Sequence, residues 1–286
     1  MSLKLSVCFF TYNRSGYLAH AVSEFIKNCH LDRSEYEIII SDDGSDELHK
    51  NKIIHIKEKF RVEKVLLNKH KGIGHNFNSG LRVAEGRFVL HIEDDWQIQQ
   101  DCGNFVNRSM AFLEQHPEVS IVRMSSLTGI DPLNNLLPYG DGFQIVNKGL
   151  ETYASSPHLK RKDFHKYLGW YDENSSPEDC QRKFQHLVYS LGVKVCWAGN
   201  VFEHFGSISC DGLKHRHLHD TLEVLYESSN SRTELLDIAK SAMKENKVFL
   251  ARHALQTFLA TGLSDPQIEQ SFEVVSEMCN KTECVG

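Results

Sequence analysis

The sequence predicts an α/β fold with a mostly parallel central sheet flanked by helices, followed by an all-helical extension. Three observations carry this. Short, wholly apolar runs such as Val7-Cys8-Phe9-Phe10 and Ile38-Ile39-Ile40 read as strands buried on both faces. Segments with apolar residues at helical spacing alternate with them, which calls for right-handed crossovers and a parallel sheet. From about Asp220 the alternation gives way to helical periodicity alone.

In chain order, Leu5–Phe10 is the first expected strand and Thr11-Tyr12-Asn13-Arg14 the turn after it. A helix follows, with Leu18, Val22, Phe25 and Ile26 on one face. Residues 36–40 form the second strand, ended by Ser41-Asp42-Asp43-Gly44-Ser45-Asp46, where Gly44 allows a sharp turn and Ser45 or Asp46 caps the next helix. That helix, 47–60, leads to a strand at 62–67 and a loop holding Lys69, Lys71, Gly72 and Gly74. A helix at about 76–84 precedes the strand Phe88-Val89-Leu90-His91-Ile92. Beyond Asp101 the reading is a helix stopped by Pro117, a strand at 120–124, and irregular connections with short strands over 129–160. A helix then starts near Ser176 and ends at Gly192, with strands at 193–198 and 201–209. The domain expectation is 1–220, in halves 1–100 and 101–220, with a helical extension at 221–286 opened by the capping box at Ser231–Glu234.

The composition narrows the partners. A formal net charge of −6 argues against a general nucleic-acid or anionic-membrane binder. No run approaches the ~18 apolar residues of a membrane span, and the N-terminus enters a strand at once without a visible signal peptide. Eight scattered cysteines, several in apolar runs and none in a Cys-x-x-Cys pair, read as buried free thiols of a reducing, cytoplasmic compartment.

The chemistry centres on the fourth strand, which stops on Glu93, Asp94 and Asp95. Clustered carboxylates at the end of a buried strand repel one another and are costly unless a cation offsets them. A hard divalent ion, Mn²⁺ or Mg²⁺, does so with one or two carboxylates while keeping positions for phosphate oxygens. Ligands of open α/β sheets sit beyond the carboxyl ends of the strands.

Four motifs then occur in order: Val7–Arg14, Ile38–Asp46, Asn78-Ser-Gly-Leu-Arg-Val-Ala-Glu-Gly86 and the acids at 93–95. Together they resemble the family-2 glycosyltransferases and their GT-A nucleotide-binding fold. Weaker similarity continues through Glu178-Asp179, Gly192 and Glu203-His204-Phe-Gly-Ser207, so that about residues 4–210 are covered. The resemblance implies a nucleotide-diphosphate sugar donor, with UDP favoured because a carboxylate at Asp43 accepts from an imide N–H. It places Thr11, Tyr12 and Arg14 at the donor, with Tyr12 flanking the base, together with Lys71 and, at the ribose, Asp94. Asp95 is implied as metal ligand, with His204 and Glu93 beside it. Asp179 is the implied base, with Glu178 adjacent, taking the proton of an acceptor hydroxyl in a single inverting displacement.

The implied acceptor is a glycan, a lipid-linked or another hydroxyl. No nucleic acid and no integral membrane segment is expected, and the C-terminal helices are open to a protein partner or self-association. Trp170 and Tyr171 are read as an acceptor platform or as core, and the alternating His215, His217 and His219 as a zinc site or a solvated lid. Two competing readings are a non-catalytic sugar-nucleotide-binding or docking protein and a sugar-phosphate nucleotidyltransferase. The latter calls for a Gly-rich loop after the first strand, where this chain has Thr-Tyr-Asn-Arg.

Overall fold

A ten-stranded sheet runs in the order β3-β2-β1-β4-β9-β6-β10-β8-β7, with β5 pairing on β10. The computed structural model describes residues 3–99, 103–125, 136–146 and 153–204, with isolated positions 240, 243, 270, 271 and 274. The chain divides into two compact units, Met1–Phe205 and Gly206–Gly286. His215, His217, His219 and the helical extension lie outside the described residues.

The first four strands in space are parallel: β3 (Lys64–Leu67), β2 (Tyr36–Asp42), β1 (Leu5–Thr11) and β4 (Phe88–Glu93). β1 and β2 are buried along their whole length, as their unbroken apolar sequences require. Helices α1 (Ser15–Asn28), α2 (Glu47–Phe60) and α3 (Ile73–Val83) make the crossovers. Asp46 caps α2 by accepting from the His49 N–H at 3.0 Å. α3 begins three residues before the expected start, after Gly72, whose φ of 96° is open to glycine.

The second half departs from the simple alternation. β5 (Trp96–Ile98) and α4 (Gly103–Gln115) lead to β6 (Val119–Ser125), and β7 (Leu136–Gly140) and β8 (Phe143–Val146) form an edge hairpin. β9 (His158–Arg161) then enters between β4 and β6, antiparallel to both. It falls within the segment read as irregular, because three of its four residues are ionisable; two of them, His158 and Lys160, are nonetheless 0% exposed. Helices α5 (Phe164–Leu168) and α6 (Pro177–Ser190) follow, and β10 (Lys194–His204) closes the unit. The segments expected at 193–198 and from 201 form one strand as far as His204, bent where the register shifts between Trp197 and Phe202 and where Gly199 has φ 102°; residues 205–209 lie outside the described residues.

One face of the sheet carries a hydrophobic core in which Cys8, Phe10, Val89 and Ile121 pack with Phe77, Leu81, Tyr171, Phe184 and Val188. The glycines of the 78–86 motif make this possible. A methyl at Gly80 would press on the Phe10 ring, and one at Gly86 would collide with the β1 backbone at Leu5 and Ser6.

Candidate functional site

The site is built at the carboxyl ends of β1 and β4. Their parallel register sets Phe10 opposite Glu93, so Thr11 and Asp94 emerge side by side. The Asp94 N–H donates to Phe10 O at 3.0 Å, and Thr11 Oγ1 donates to Asp94 Oδ2 at 2.7 Å. Arg14, just before α1, reaches back over this corner. Its Nη1 donates to Asp94 Oδ1 at 3.2 Å and to Asp95 Oδ2 at 2.9 Å. The far end of β10 pairs antiparallel with β5, setting His204 opposite Trp96. There the two rings stack with centroids 4.5 Å apart, and His204 Nε2 lies 3.2 Å from Asp95 Oδ2. Sheet topology thus joins residues from three parts of the sequence, at 10–14, 93–96 and 204.

The three acids do not share charge equally. Burial and the neighbouring Asp95 push Glu93 up to about 7. Burial also raises Asp94 to about 7, against the pull of Arg14. Burial works on Asp95 in the same direction, yet the hydrogen bond and charge of His204, with Arg14, hold its carboxyl below the usual range. Negative charge therefore concentrates on Asp95. Two oxygens here, Asp95 Oδ1 and Glu93 Oε1, are buried without a hydrogen-bond partner. Orphaned carboxylate oxygens of this kind fit a hard divalent cation, which would supply the missing charge. Among the described residues no three His, Cys, Asp or Glu side chains close a metal shell by themselves.

The second corner surrounds Asp43. Asp42 accepts from the Ser45 N–H at 2.9 Å and from the Ser45 hydroxyl, which locks the turn through Gly44. Asp43 accepts from the backbone N–H groups of Lys71 and Gly72 at 3.1–3.2 Å, with His70 Nδ1 3.0 Å from its Oδ2. Tyr12 stacks on His70 with ring centroids 4.6 Å apart and leaves 43% of its surface open. The loop of Lys71 is thus tied to Asp43 through backbone, with the Lys71 side chain exposed. His70 carries no sequence signal that distinguishes it from the lysines on either side.

The third part is the start of α6. Asn78 fixes the approach to it: its amide donates to Tyr171 O at 3.0 Å and its carbonyl accepts from the Tyr171 N–H at 3.1 Å. A methyl at Gly74 would strike the Asp172 carbonyl, so the loop and α3 pack backbone to backbone. Ser176 caps α6 by accepting from the Asp179 N–H at 3.2 Å. In the first turn Glu178 is exposed, and Asp179 is partly buried and ion-paired with Arg182. The ion pair of Asp179 runs to Arg182 on its own helix, while the acid cluster is met by Arg14 and His204. The two aromatics before α6 separate: Tyr171 is core, while Trp170 stacks on His165 at 5.1 Å with Arg82 against its ring.

Residues 6–135 match the family model Glycosyl transferase family 2. The poly(ribitol-phosphate) beta-N-acetylglucosaminyltransferase TarS of Staphylococcus aureus (strain Mu50 / ATCC 700699) is 29% identical over 133 residues, covering 44% of this chain and 22% of TarS. The chain thus matches less than a quarter of that relative's length. Among solved structures, S. aureus TarS 1-349 in complex with UDP superposes with a TM-score of 0.51 at 18% identity, covering 98% of this chain and 92% of that one. The mannosyltransferase PcManGT of Pyrobaculum calidifontis, in complex with GDP-Man and Mn²⁺, gives a TM-score of 0.54 at 13% identity, covering 100% and 81%. These likenesses establish the GT-A type fold.

Proposed function

We propose, for a chain whose residues 6–135 match the Glycosyl transferase family 2 model, a divalent-metal-dependent, inverting transfer of a sugar from a nucleotide-diphosphate sugar to an acceptor hydroxyl. The observation that carries it is the buried acid corner at the end of β4, with two unpartnered carboxylate oxygens beside Arg14 and His204. Asp95, with Glu93 and His204 beside it, would hold Mn²⁺ or Mg²⁺, which offsets charge on the departing diphosphate. Thr11 and Arg14 orient Asp94 toward the ribose, and Tyr12, stacked on His70, offers an open ring to the base. Asp43 holds the backbone of the Lys71 loop beside that ring.

Asp179 takes the proton of the acceptor hydroxyl as its oxygen bonds to the anomeric carbon and the sugar–phosphate bond breaks. The nucleoside diphosphate leaves on the opposite side, so one displacement inverts configuration. Glu178, exposed beside it, sits where the acceptor approaches. UDP is the favoured nucleotide, being the one bound in the TarS complex that shares the fold. The acceptor is a glycan, lipid-linked or other hydroxyl, and the place of action is the cytoplasm; no described helix is long and apolar enough to cross a membrane. The helical extension is proposed as the element that meets acceptor or partner.

The test is a thermal-shift panel of nucleotide sugars with and without Mn²⁺, followed by acceptor-free hydrolysis of the ligand that binds. Metal-dependent stabilisation by UDP-sugars with slow hydrolysis is expected. Binding without any turnover favours a non-catalytic protein, and no stabilisation by any nucleotide sugar removes the reading.

A further inference from the structure

The loop between β3 and α3 is folded down onto Asp43. It rests on the turn after β2 without a gap, and a methyl at Gly44 would strike the His70 backbone. The Lys71 and Gly72 N–H groups donate to Asp43 Oδ1 at 3.1 and 3.2 Å, and the Gly72 N–H also reaches Oδ2 at 3.1 Å. Gly72 is the N-cap of α3 and has no side chain with which to serve the first turn, so the Asp43 carboxylate stands at that helix start instead. His70 Nδ1 lies 3.0 Å from Asp43 Oδ2 and 3.0 Å from Asp43 O. Both neighbours are acceptors, so Nδ1 carries the hydrogen and the ring is held in one orientation. That ring lies nearly parallel to Tyr12, at an interplanar angle of 17°. A carboxylate offers about four lone-pair positions, and these contacts occupy them. Asp43 is accordingly 5% exposed, while Tyr12 and His70 both face solvent.

We infer that His70 is a positioning residue of the donor site: a nucleotide base is held by stacking on the Tyr12–His70 pair, and Asp43 serves that pair through the loop without accepting from the base edge. The inference rests on the reading of the chain as a nucleotide-sugar transferase, and it departs from the role that the family resemblance implies for Asp43. An edge bond would discriminate among bases, because a site built to pair with an imide N–H leaves a buried group unpaired when that N–H is missing. Stacking tolerates base identity, since every base has a π-face. On this assignment Asp43 confers no preference for uracil. Its charge is spent on fixing the loop, and the loop fixes the ring on which Tyr12 lies.

The experiment is calorimetric titration of the full-length protein, in Mn²⁺, with UDP, UDP methylated on the imide nitrogen, GDP and a base-free ribose diphosphate. The cost of imide methylation should be the same in Asp43→Ala as in the wild type, within about twofold, because the two groups do not meet. A cost that is lost in Asp43→Ala shows the carboxylate accepting from the base and overturns the inference. His70→Ala tests the other half and does not depend on Asp43→Ala folding. It should weaken UDP and GDP alike, by about tenfold, and leave the ribose diphosphate unchanged; His70→Phe, which keeps a ring for Tyr12, should restore both nucleotides. Undiminished binding of UDP by His70→Ala, or an equal loss for the ribose diphosphate, refutes the positioning role. If the wild type binds none of these ligands with Mn²⁺, the proposed function falls and takes this inference with it. Binding with a methylation cost lost in Asp43→Ala sinks this inference alone.

Discussion

Asp95→Asn tests the site at its most charged point, and its two effects differ in size. The amide keeps the shape of the side chain but removes the charge that Arg14 meets at 2.9 Å and His204 at 3.2 Å. Arg14 keeps Asp94, and its own side chain is 39% exposed, so the lost ion pair costs only about 1 kcal/mol. Against this, Asp95 is one of the charges that raise Glu93 and Asp94, and its removal relaxes both. Stability should therefore change by no more than about 1–2 kcal/mol. Donor binding should change far more.

With Mn²⁺ and a UDP-sugar at 100 times Kd, the wild type gains ~2.7 kcal/mol. At about 2–4 °C per kcal/mol for a unit of this size, that is a rise in Tm of roughly 5–10 °C. If losing the ligand weakens donor binding about 100-fold, the same concentration only equals Kd and adds ~0.4 kcal/mol, a shift near 1 °C. The assay is differential scanning fluorimetry, with calorimetric titration of Mn²⁺ as a cross-check. An undiminished rise in Tm for Asp95→Asn refutes the metal assignment.

Asp179→Asn should lower transfer by roughly 10²–10⁴-fold with donor Kd unchanged, and Glu178→Gln should cost much less; transfer rates of both variants decide, and a dead Glu178→Gln beside an active Asp179→Asn reverses the roles. Burial pushes the Lys160 amine down to about 7, so below the unfolded value near 10.5 the unfolded chain binds the extra proton and stability falls as pH drops toward 7. Lys160→Met should therefore stabilise the protein by about 1–4 kcal/mol near pH 7, and urea titrations should show the gain shrinking toward pH 10. Gly86→Ala should destabilise by about 1–3 kcal/mol in the same titrations, since its methyl meets the fixed backbone of Leu5 and Ser6; a neutral result would mean that β1 yields there.

The nucleotide-binding half was plain in the sequence because each strand there is a continuous apolar run. Leu5–Thr11 and Tyr36–Asp42 are buried throughout and differ from the expectation by a residue or two at their carboxyl ends. The helix at 47–60 was matched end to end, since Asp46 caps it and Arg61 leaves it at φ 53°. β9 was hidden by its own chemistry. His-Leu-Lys-Arg has the look of a polar loop, and nothing local reveals that Lys160 lies among Tyr171, Phe164 and the core histidines. β5 was hidden by its length of three residues. In the site, residue types pointed to a cation, but only the crossing of β10 over β5 explains why His204 stands at Asp95.

The late arrival of β9 also orders the birth of the molecule. As the chain leaves the ribosome, β3, β2, β1 and β4 can associate once residue 93 has emerged, but the outer edge of β4 then stays open. Its permanent neighbour comes only with residues 158–161, and β6, made in between, must wait for the same four residues. An unpaired central strand is a template for pairing with other chains. A nascent chain stalled between residues 125 and 158 should therefore be the species most prone to aggregate, and the one that depends most on chaperones.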